Sequence, residues 1–389
     1  MCAELGANVM IKITEPSFDE AEIEAVRSVL GSKWVTQGPV TEQFERLIAA
    51  NQGVSSALAC TSCTAALHLS TLALGIGRGD EVIVPAFTWV TSAHAVEYVG
   101  ANVVFADIDL ATFNIDPARL KAAITPRTKA VVAVHLFGLA APMDEIREIC
   151  APRGIRIIED AACAISTTYR GNPVGGLGDI GCFSFHPRKI VTTGEGGAVT
   201  TNDAALAEKV RALRNHGATG LPSADVEPHG PWTMGRFDVV GFNLRMSDIQ
   251  AAVGVAQMRK LPALAAERRS IAERYTFLLR DVNDLVLPVA GDNEGHTYQS
   301  YVVRLADGGR ARRNAVMSDL ALAEIQTRPG THAVHRLGYY SGKYKLSSQE
   351  FPNAAAAEDT TITLPIVPGM REAQQGFVVE TLARALRQR

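Results

Sequence analysis

No stretch of this chain is apolar for long enough to cross a bilayer. The most apolar window, residues 130–141, falls short of the roughly 20 residues that a spanning helix needs, and His135 interrupts it. Residues 1–18 lack a basic start followed by an apolar run, so no secretory signal is expected, and the expected location is cytoplasmic. An excess of one charge is missing too. Lys and Arg number 38 against 41 Asp and Glu, well mixed, for a net charge of −3. Nucleic-acid partners usually demand a basic excess, so none is expected here. Cysteine is sparse and scattered, at Cys2, Cys60, Cys63, Cys150, Cys163 and Cys182, which argues against a disulfide framework. Cys60 and Cys63 form one C-x-x-C, but no second pair or histidine set stands at ligand spacing, so no metal site is expected. Internal repeats and low-complexity tracts are absent as well.

What is present points to a large α/β core. The 389 residues are 47% hydrophobic and only 20% charged, enough to bury a sizeable interior in more than one domain. Short apolar runs at 81–84, 103–106, 130–136, 156–158, 182–185 and 198–201 read as strands. Helical segments are expected between them, at 64–74, 143–150 and 204–214. Wholly apolar strands alternating with helices imply a mainly parallel sheet covered on both faces. Two further helices are expected at 247–258 and 261–279. Beyond the loop at 291–295 a strand at 300–305 and helices at 312–322 and 372–386 suggest a smaller C-terminal α/β unit. The Pro- and Gly-rich stretch 221–238 reads as a long loop, of the kind that is often functional or sits at a subunit contact.

Several reactive side chains fall where such sheets place ligands. Asp160 follows the 155–158 run and should stand at the carboxyl end of a parallel strand. Taken alone it could equally be a helix N-cap. Lys189 follows the strand at 182–185, where a lysine is most often a snorkelling surface residue. The Thr192–Gly197 stretch (TTGEGG) after it argues for tight turns and close backbone approach instead. A lysine at a glycine-rich sheet end suits covalent attachment of a carbonyl cofactor. Pyridoxal 5'-phosphate (PLP) then asks for a carboxylate at its ring nitrogen, for which Asp160 is available. Its phosphate asks for hydroxyl and N–H groups at a helix N-terminus, which Ser62-Cys63-Thr64 supplies, with Ser184 as a further hydroxyl. Trp89 could cover the ring face.

Rival sites fail on spacing. Gly75-Ile-Gly77-Arg-Gly79 and Gly194-Glu-Gly-Gly197 lack the G-x-G-x-x-G pattern and precede strands instead of opening helices. Walker A, G-x-S-x-G and H-E-x-x-H patterns are absent. His332 and His335 stand three apart in a Gly/Pro-rich stretch, where a surface position or a substrate contact is expected over metal ligation.

With these residues in view, the chain resembles the DegT/DnrJ/EryC1/StrS family of sugar aminotransferases from about Ile13 onward. The likeness rests on Ser62–Leu69 (SCTAALHL), Asp80–Trp89 (DEVIVPAFTW), Glu159–Ala162 (EDAA), Cys182–Lys189 (CFSFHPRK) and Gly241–Asp248 (GFNLRMSD). Phe351–Ala354 (FPNA) and Leu364-Pro365 are similar to the family's C-terminal landmarks. The resemblance implies PLP fold type I: an N-terminal segment 1–35, a large PLP-binding domain 36–260 with a mainly parallel central sheet between helices, and a small C-terminal α/β domain 261–389. It implies Lys189 as the catalytic lysine carrying PLP as a Schiff base, and Asp160 paired with the ring nitrogen. It also implies Trp89 stacked on the ring, Cys63, Thr64 and Ser184 on the phosphate, and Asn243 reaching the phosphate of a neighbouring subunit in a homodimer. Trp34–Gly38 looks like the family's N-terminal active-site loop. Two positions depart from the common pattern: Cys63, where the family often has Gly, and Cys163, where it often has Gln, His or Glu.

The implied reaction moves an amino group from L-glutamate or L-glutamine to a keto-sugar, with retention of the lysine favouring amino transfer over dehydration. The Ile190–Gly197 stretch (IVTTGEGG) resembles members acting on nucleotide-linked 4-keto-6-deoxy sugars. The alternatives are a keto-cyclitol acceptor such as scyllo-inosose, or a PLP-binding regulatory protein without turnover.

Overall fold

The computed structural model describes residues 10–222, 230–289 and 294–388. Its central sheet has seven strands in the order Ser56–Cys60, Gly197–Thr201, Ile180–Ser184, Arg156–Asp160, Thr128–Val134, Glu81–Pro85 and Asn102–Ala106. Gly197–Thr201 runs antiparallel to both its neighbours, and the other pairs are parallel. The unbroken apolar runs follow from burial on both faces. Along Thr128–Val134, Val132 and Val134 enter one core while Val131 and Ala133 enter the other. Strand side chains alternate with period two, so a strand covered on both sides needs no polar position. Each Val or Ile buried this way stabilises the fold by about 1.5–3 kcal/mol.

Side chains set the helix starts. The Ser62 oxygen accepts from the N–H of Ala65 at the head of Cys63–Ala73, and Asp203 accepts from Ala205 and Leu206 at the head of Ala204–Arg214. The two helices expected at 247–258 and 261–279 are one, Asp248–Leu279, with Pro262 inside it. Proline removes one helical hydrogen bond, but burial on both sides of it carries the helix through. Ala251, Val255 and Met258 pack into the sheet core, and Ile271, Ala272, Tyr275 and Leu279 into a third, C-terminal core. That C-terminal core lies on an antiparallel sheet of Leu285–Val286, Tyr301–Leu305 and Thr361–Leu364, covered by helices Gly309–Leu322 and Glu372–Gln388. The helix thus serves both cores, and the 260/261 division falls inside it. Arg236–Phe237, within the stretch read as a long loop, pairs as a short strand with Ala218–Gly220. Residues 223–229 of that stretch, residues 291–293 of the next loop and Cys2 lie outside the described residues.

A buried carboxylate locks the centre of the sheet. Glu159 accepts hydrogen bonds from His135 Nε2 at 2.9 Å and from the N–H groups of Gly175, Leu177 and Gly178 at 2.6–2.7 Å. His135 Nδ1 accepts from Ala141 N–H at 3.0 Å, which leaves Nε2 as the donor. Burial pushes the Glu159 carboxyl up, but the bonds from His135, Gly175 and Gly178 outweigh it and hold the group below its ordinary 4.5. A depressed folded value contributes stability that is complete above the ordinary carboxyl range and is lost as pH falls through the folded value. Chemical denaturation followed by circular dichroism from neutral to acid pH should show a steeper acid loss for the native chain than for Glu159→Gln, which is already weaker at neutral pH.

Among the described residues no helix is long and apolar enough to cross a membrane, and no group of three His, Cys, Asp or Glu could hold a metal ion.

Candidate active site

The parallel strands deliver their carboxyl ends to one edge of the sheet, and the reactive side chains meet there. Asp160 ends its strand, is 5% exposed, and pairs with Cys182 across the ladder. Its Oδ2 accepts from the Ser92 hydroxyl at 2.7 Å, and its Oδ1 accepts from Ala162 N–H at 3.2 Å. Ser92 lies 3.0 Å from the Thr88 hydroxyl, so the same network reaches the short strand Phe87–Thr88 that precedes Trp89. Trp89 is more than half exposed and inclined to His332, with ring centroids 5.7 Å apart. His332 arrives there because His332–Ala333 pairs with Phe87–Thr88.

One strand separates the helix-opening turn from Ser184. Gly197 pairs with Cys60 on one side and with Ser184 on the other. A Cβ on Gly197 would stand 2.4 Å from the Ser62 carbonyl carbon and 2.5 Å from the Cys63 nitrogen. Only glycine allows that strand to lie against the turn. Ser62 and its carbonyl satisfy the N–H groups of Ala65 and Ala66, while those of Cys63 and Thr64 make no hydrogen bond among the described residues. Two free N–H donors at the start of an 11-residue helix form an anion cradle. Cys63 itself is buried. Burial first, and the Asp160 carboxylate next, push its thiol well above the ordinary value, against Lys189, which pulls it down. The carboxylate and the lysine are therefore each within electrostatic reach of Cys63 in the cradle. Its C-x-x-C partner Cys60 is pushed by burial to about 12, so neither thiol is poised for redox or metal chemistry.

Lys189 is half-buried and its Nζ donates to Cys163 Sγ at 3.1 Å. The departure from the family pattern at position 163 thus sits directly on the lysine. A buried carboxylate, a phosphate cradle and a lysine amine at one sheet edge match what PLP requires at its ring nitrogen, phosphate and aldehyde.

Asn243 is not brought into this cluster. It is exposed, its backbone bridges to Asn215, and no hydrogen bond or ion pair links its side chain to the cluster among the described residues. The Trp34–Gly38 loop is anchored by Asp248, which is 1% exposed. Asp248 Oδ1 accepts from Gly38 N–H, Thr41 N–H and the Thr41 hydroxyl at 2.6–2.9 Å, and Trp34 and Val35 are left facing solvent.

Sequence reasoning missed four residues. Ser92 is one hydroxyl among several after Trp89, and only its bond to Asp160 singles it out. Asp248 was visible only as the end of a family motif. Gln299 reads as a polar residue beside a strand. Arg328, in a Thr-Arg-Pro-Gly turn, reads as a surface charge. It is in fact half-buried, and its guanidinium makes no hydrogen bond or ion pair among the described residues. Burial holds it below its ordinary value, and the ionisable groups that reach it are Cys163 and Arg188, the neighbours of Lys189.

Comparison with known proteins identifies the family and the fold. The model of the DegT/DnrJ/EryC1/StrS aminotransferase family matches residues 16–383. The chain is 39% identical to GDP-perosamine synthase of Caulobacter vibrioides, over 97% of this chain and 98% of that one. It is 36% identical to the spore coat polysaccharide biosynthesis protein SpsC of Bacillus subtilis, over 96% and 97%. Its fold superposes on Spr1654 of Streptococcus pneumoniae in the PMP form with a TM-score of 0.92 at 28% identity, covering 98% of this chain and 100% of that one, and Spr1654 has also been solved in a PLP form. With the family model matched over nearly the whole chain and the fold shared with a solved sugar aminotransferase, the chain belongs to the DegT/DnrJ/EryC1/StrS family of PLP-dependent aminotransferases of fold type I.

Proposed function

We propose that this enzyme transfers an amino group from L-glutamate or L-glutamine to a nucleotide-linked 4-keto-6-deoxy sugar, with Lys189 as the catalytic lysine. The observation that carries the reading is the meeting of Lys189, Asp160 and the Cys63–Thr64 cradle at one sheet edge. Bound PLP supplies the electron sink and carries the amino group between donor and acceptor. In this reading the Cys63 and Thr64 N–H groups and the Ser184 hydroxyl hold the phosphate. Asp160, oriented by Ser92 and Ala162, keeps the ring nitrogen protonated. Trp89 covers the ring. The Lys189 amine, held beside Cys163 Sγ, takes the proton from the donor's Cα and returns it on the other side of the transfer.

Arg328 favours an amino acid as donor. Its unpaired guanidinium lies among the neighbours of Lys189, and a carboxylate there gives it the bidentate partner it lacks. A charge-assisted pair is worth about 1.5–3 kcal/mol, so Arg328→Ala should raise KM for glutamate by about ten- to a hundredfold. Steady-state kinetics with the acceptor in excess measure it, and an unchanged KM removes Arg328 from the donor site. The likeness to GDP-perosamine synthase supports a sugar carried on a nucleotide.

A homodimer belongs to the same reading. Trp232, Met234, Phe237 and Val240 are exposed on and beside the short strand that precedes Asn243, an apolar face suited to a second copy of the chain. Asn243, outside the site of its own chain, would then reach the neighbour's phosphate.

The visible spectrum tests the proposal. Protein loaded with PLP should show the band of the lysine-linked cofactor, and L-glutamate or L-glutamine should bleach it. Product analysis with a nucleotide-linked 4-keto-6-deoxy sugar and with scyllo-inosose then identifies the acceptor. A band that neither donor bleaches would favour a PLP-binding protein without turnover.

A further inference from the structure

Lys189 lies in a turn outside the sheet ladder, between two backbone groups that a single side chain satisfies. Gln299 Nε2 donates to the Arg188 carbonyl at 2.6 Å, and Gln299 Oε1 accepts from Ile190 N–H at 3.1 Å. Gln299 is 8% exposed, so both bonds are made away from bulk water. A primary amide offers a donor and an acceptor on one planar group, and here they bracket the lysine from both sides.

Gln299 is itself fixed. Arg268, on the helix Asp248–Leu279 and 6% exposed, donates through Nη1 to the Gln299 carbonyl at 3.2 Å and to the Tyr298 carbonyl at 3.4 Å. Two residues earlier Thr297 N–H donates to the Gly138 carbonyl at 3.1 Å, and the Thr297 hydroxyl reaches the Cys163 carbonyl at 3.5 Å. Gly138 has φ of +97°, and a Cβ there would stand 2.4 Å from Thr297 Oγ1 and 3.0 Å from the Gln299 nitrogen. The segment 297–299 is therefore seated on a turn that only glycine permits, and it touches the backbone of Cys163 and of the two residues that flank Lys189.

We infer that Gln299 is a positioning residue for amino transfer, and that its bracket on Arg188 and Ile190 fixes the Cα of Lys189 so that Nζ delivers its proton to one place. The inference rests on the reading of Lys189 as the lysine that carries the cofactor. Lysine has four freely rotating side-chain bonds, so the accuracy of its amine depends on how firmly its Cα is held. Gln299 touches neither the phosphate cradle nor Asp160, so its loss leaves those cofactor contacts in place.

Gln299→Met keeps the length of the side chain and removes both bonds. Gln299→Glu keeps the acceptor for Ile190 N–H and loses the donor to Arg188. Stopped-flow bleaching of the cofactor band by L-glutamate should slow about tenfold or more in Gln299→Met, since small misplacements of reacting groups cost factors of that size. The glutamate concentration at half-maximal rate should stay within about twofold. The pH midpoint of the lysine-linked band should move by about half a unit or more, because a loosened amine samples a different environment. Gln299→Glu should fall between the two. A Gln299→Met protein with native rate and native midpoint, whatever its melting temperature, overturns the inference and leaves Gln299 a structural residue. Native protein that forms no band, or that carries the borohydride-trapped cofactor on another lysine, overturns instead the underlying reading of Lys189.

Discussion

Lys189→Ala should lower amino transfer from glutamate by about 10⁴-fold or more and abolish the lysine-linked visible band. Positioned acid–base catalysis alone contributes about 10²–10⁴-fold, and this lysine is proposed to anchor the cofactor as well. The fold should survive. Lys189 is half-buried, its side chain makes a single hydrogen bond among the described residues, to Cys163, and the turn around it is held through backbone groups by Gln299 and His186. The measurement is the single-turnover rate with L-glutamate alongside thermal melting of both proteins. Native melting with transfer lost supports the assignment. Retained transfer at a tenth of the native rate or better would sink it and send the search to another amine.

Asp160→Asn should be the second-largest loss, about 10²–10³-fold in the same rate, the size seen when one preorganised electrostatic partner is removed from a reacting centre. Asparagine fills the same space: its one amide oxygen can accept from Ala162 N–H while its NH2 donates to the Ser92 hydroxyl, so the geometry is kept while the charge goes. The loss is then electrostatic. A neutral amide no longer favours a protonated ring nitrogen, and the cofactor becomes a poorer electron sink. The band should persist in this variant, which separates it from Lys189→Ala. Ser92→Ala should show a smaller loss in the same direction, since it removes one orienting bond and no charge. An Asp160→Asn enzyme with an unchanged rate would make Asp160 a strand-end residue with no part in the chemistry.

The sequence by itself determined a good deal. Burial on both faces leaves mostly apolar residues in a strand, so the runs at 81–84 and 130–136 announced a parallel sheet without any contact being known. Lys189 and Asp160 were legible because each follows a strand, and strand ends are where such sheets gather their ligands. The Cys63–Thr64 cradle was legible because Ser62 is a helix cap with few other uses. Local rules reach that far. They also divide the helix Asp248–Leu279 in two between 258 and 261, because local pattern knows nothing of the two cores against which it packs as one.

The tertiary structure decided everything that depends on residues far apart in the chain. Gln299 brackets a lysine 110 positions earlier, to within one residue on either side. Ser92 orients Asp160 across 68 residues, and Asp248 anchors Gly38 across 210. Arg328 carries the same charge as any surface arginine, and only its burial beside Cys163 and Arg188 makes it a candidate for a substrate carboxylate. The reason is physical. A side-chain hydrogen bond is specified by distance and angle within a few tenths of an ångström, whereas sequence pattern specifies only which face of an element is apolar. Burial pattern fixed the elements of this protein, and the packing of those elements fixed which polar groups meet.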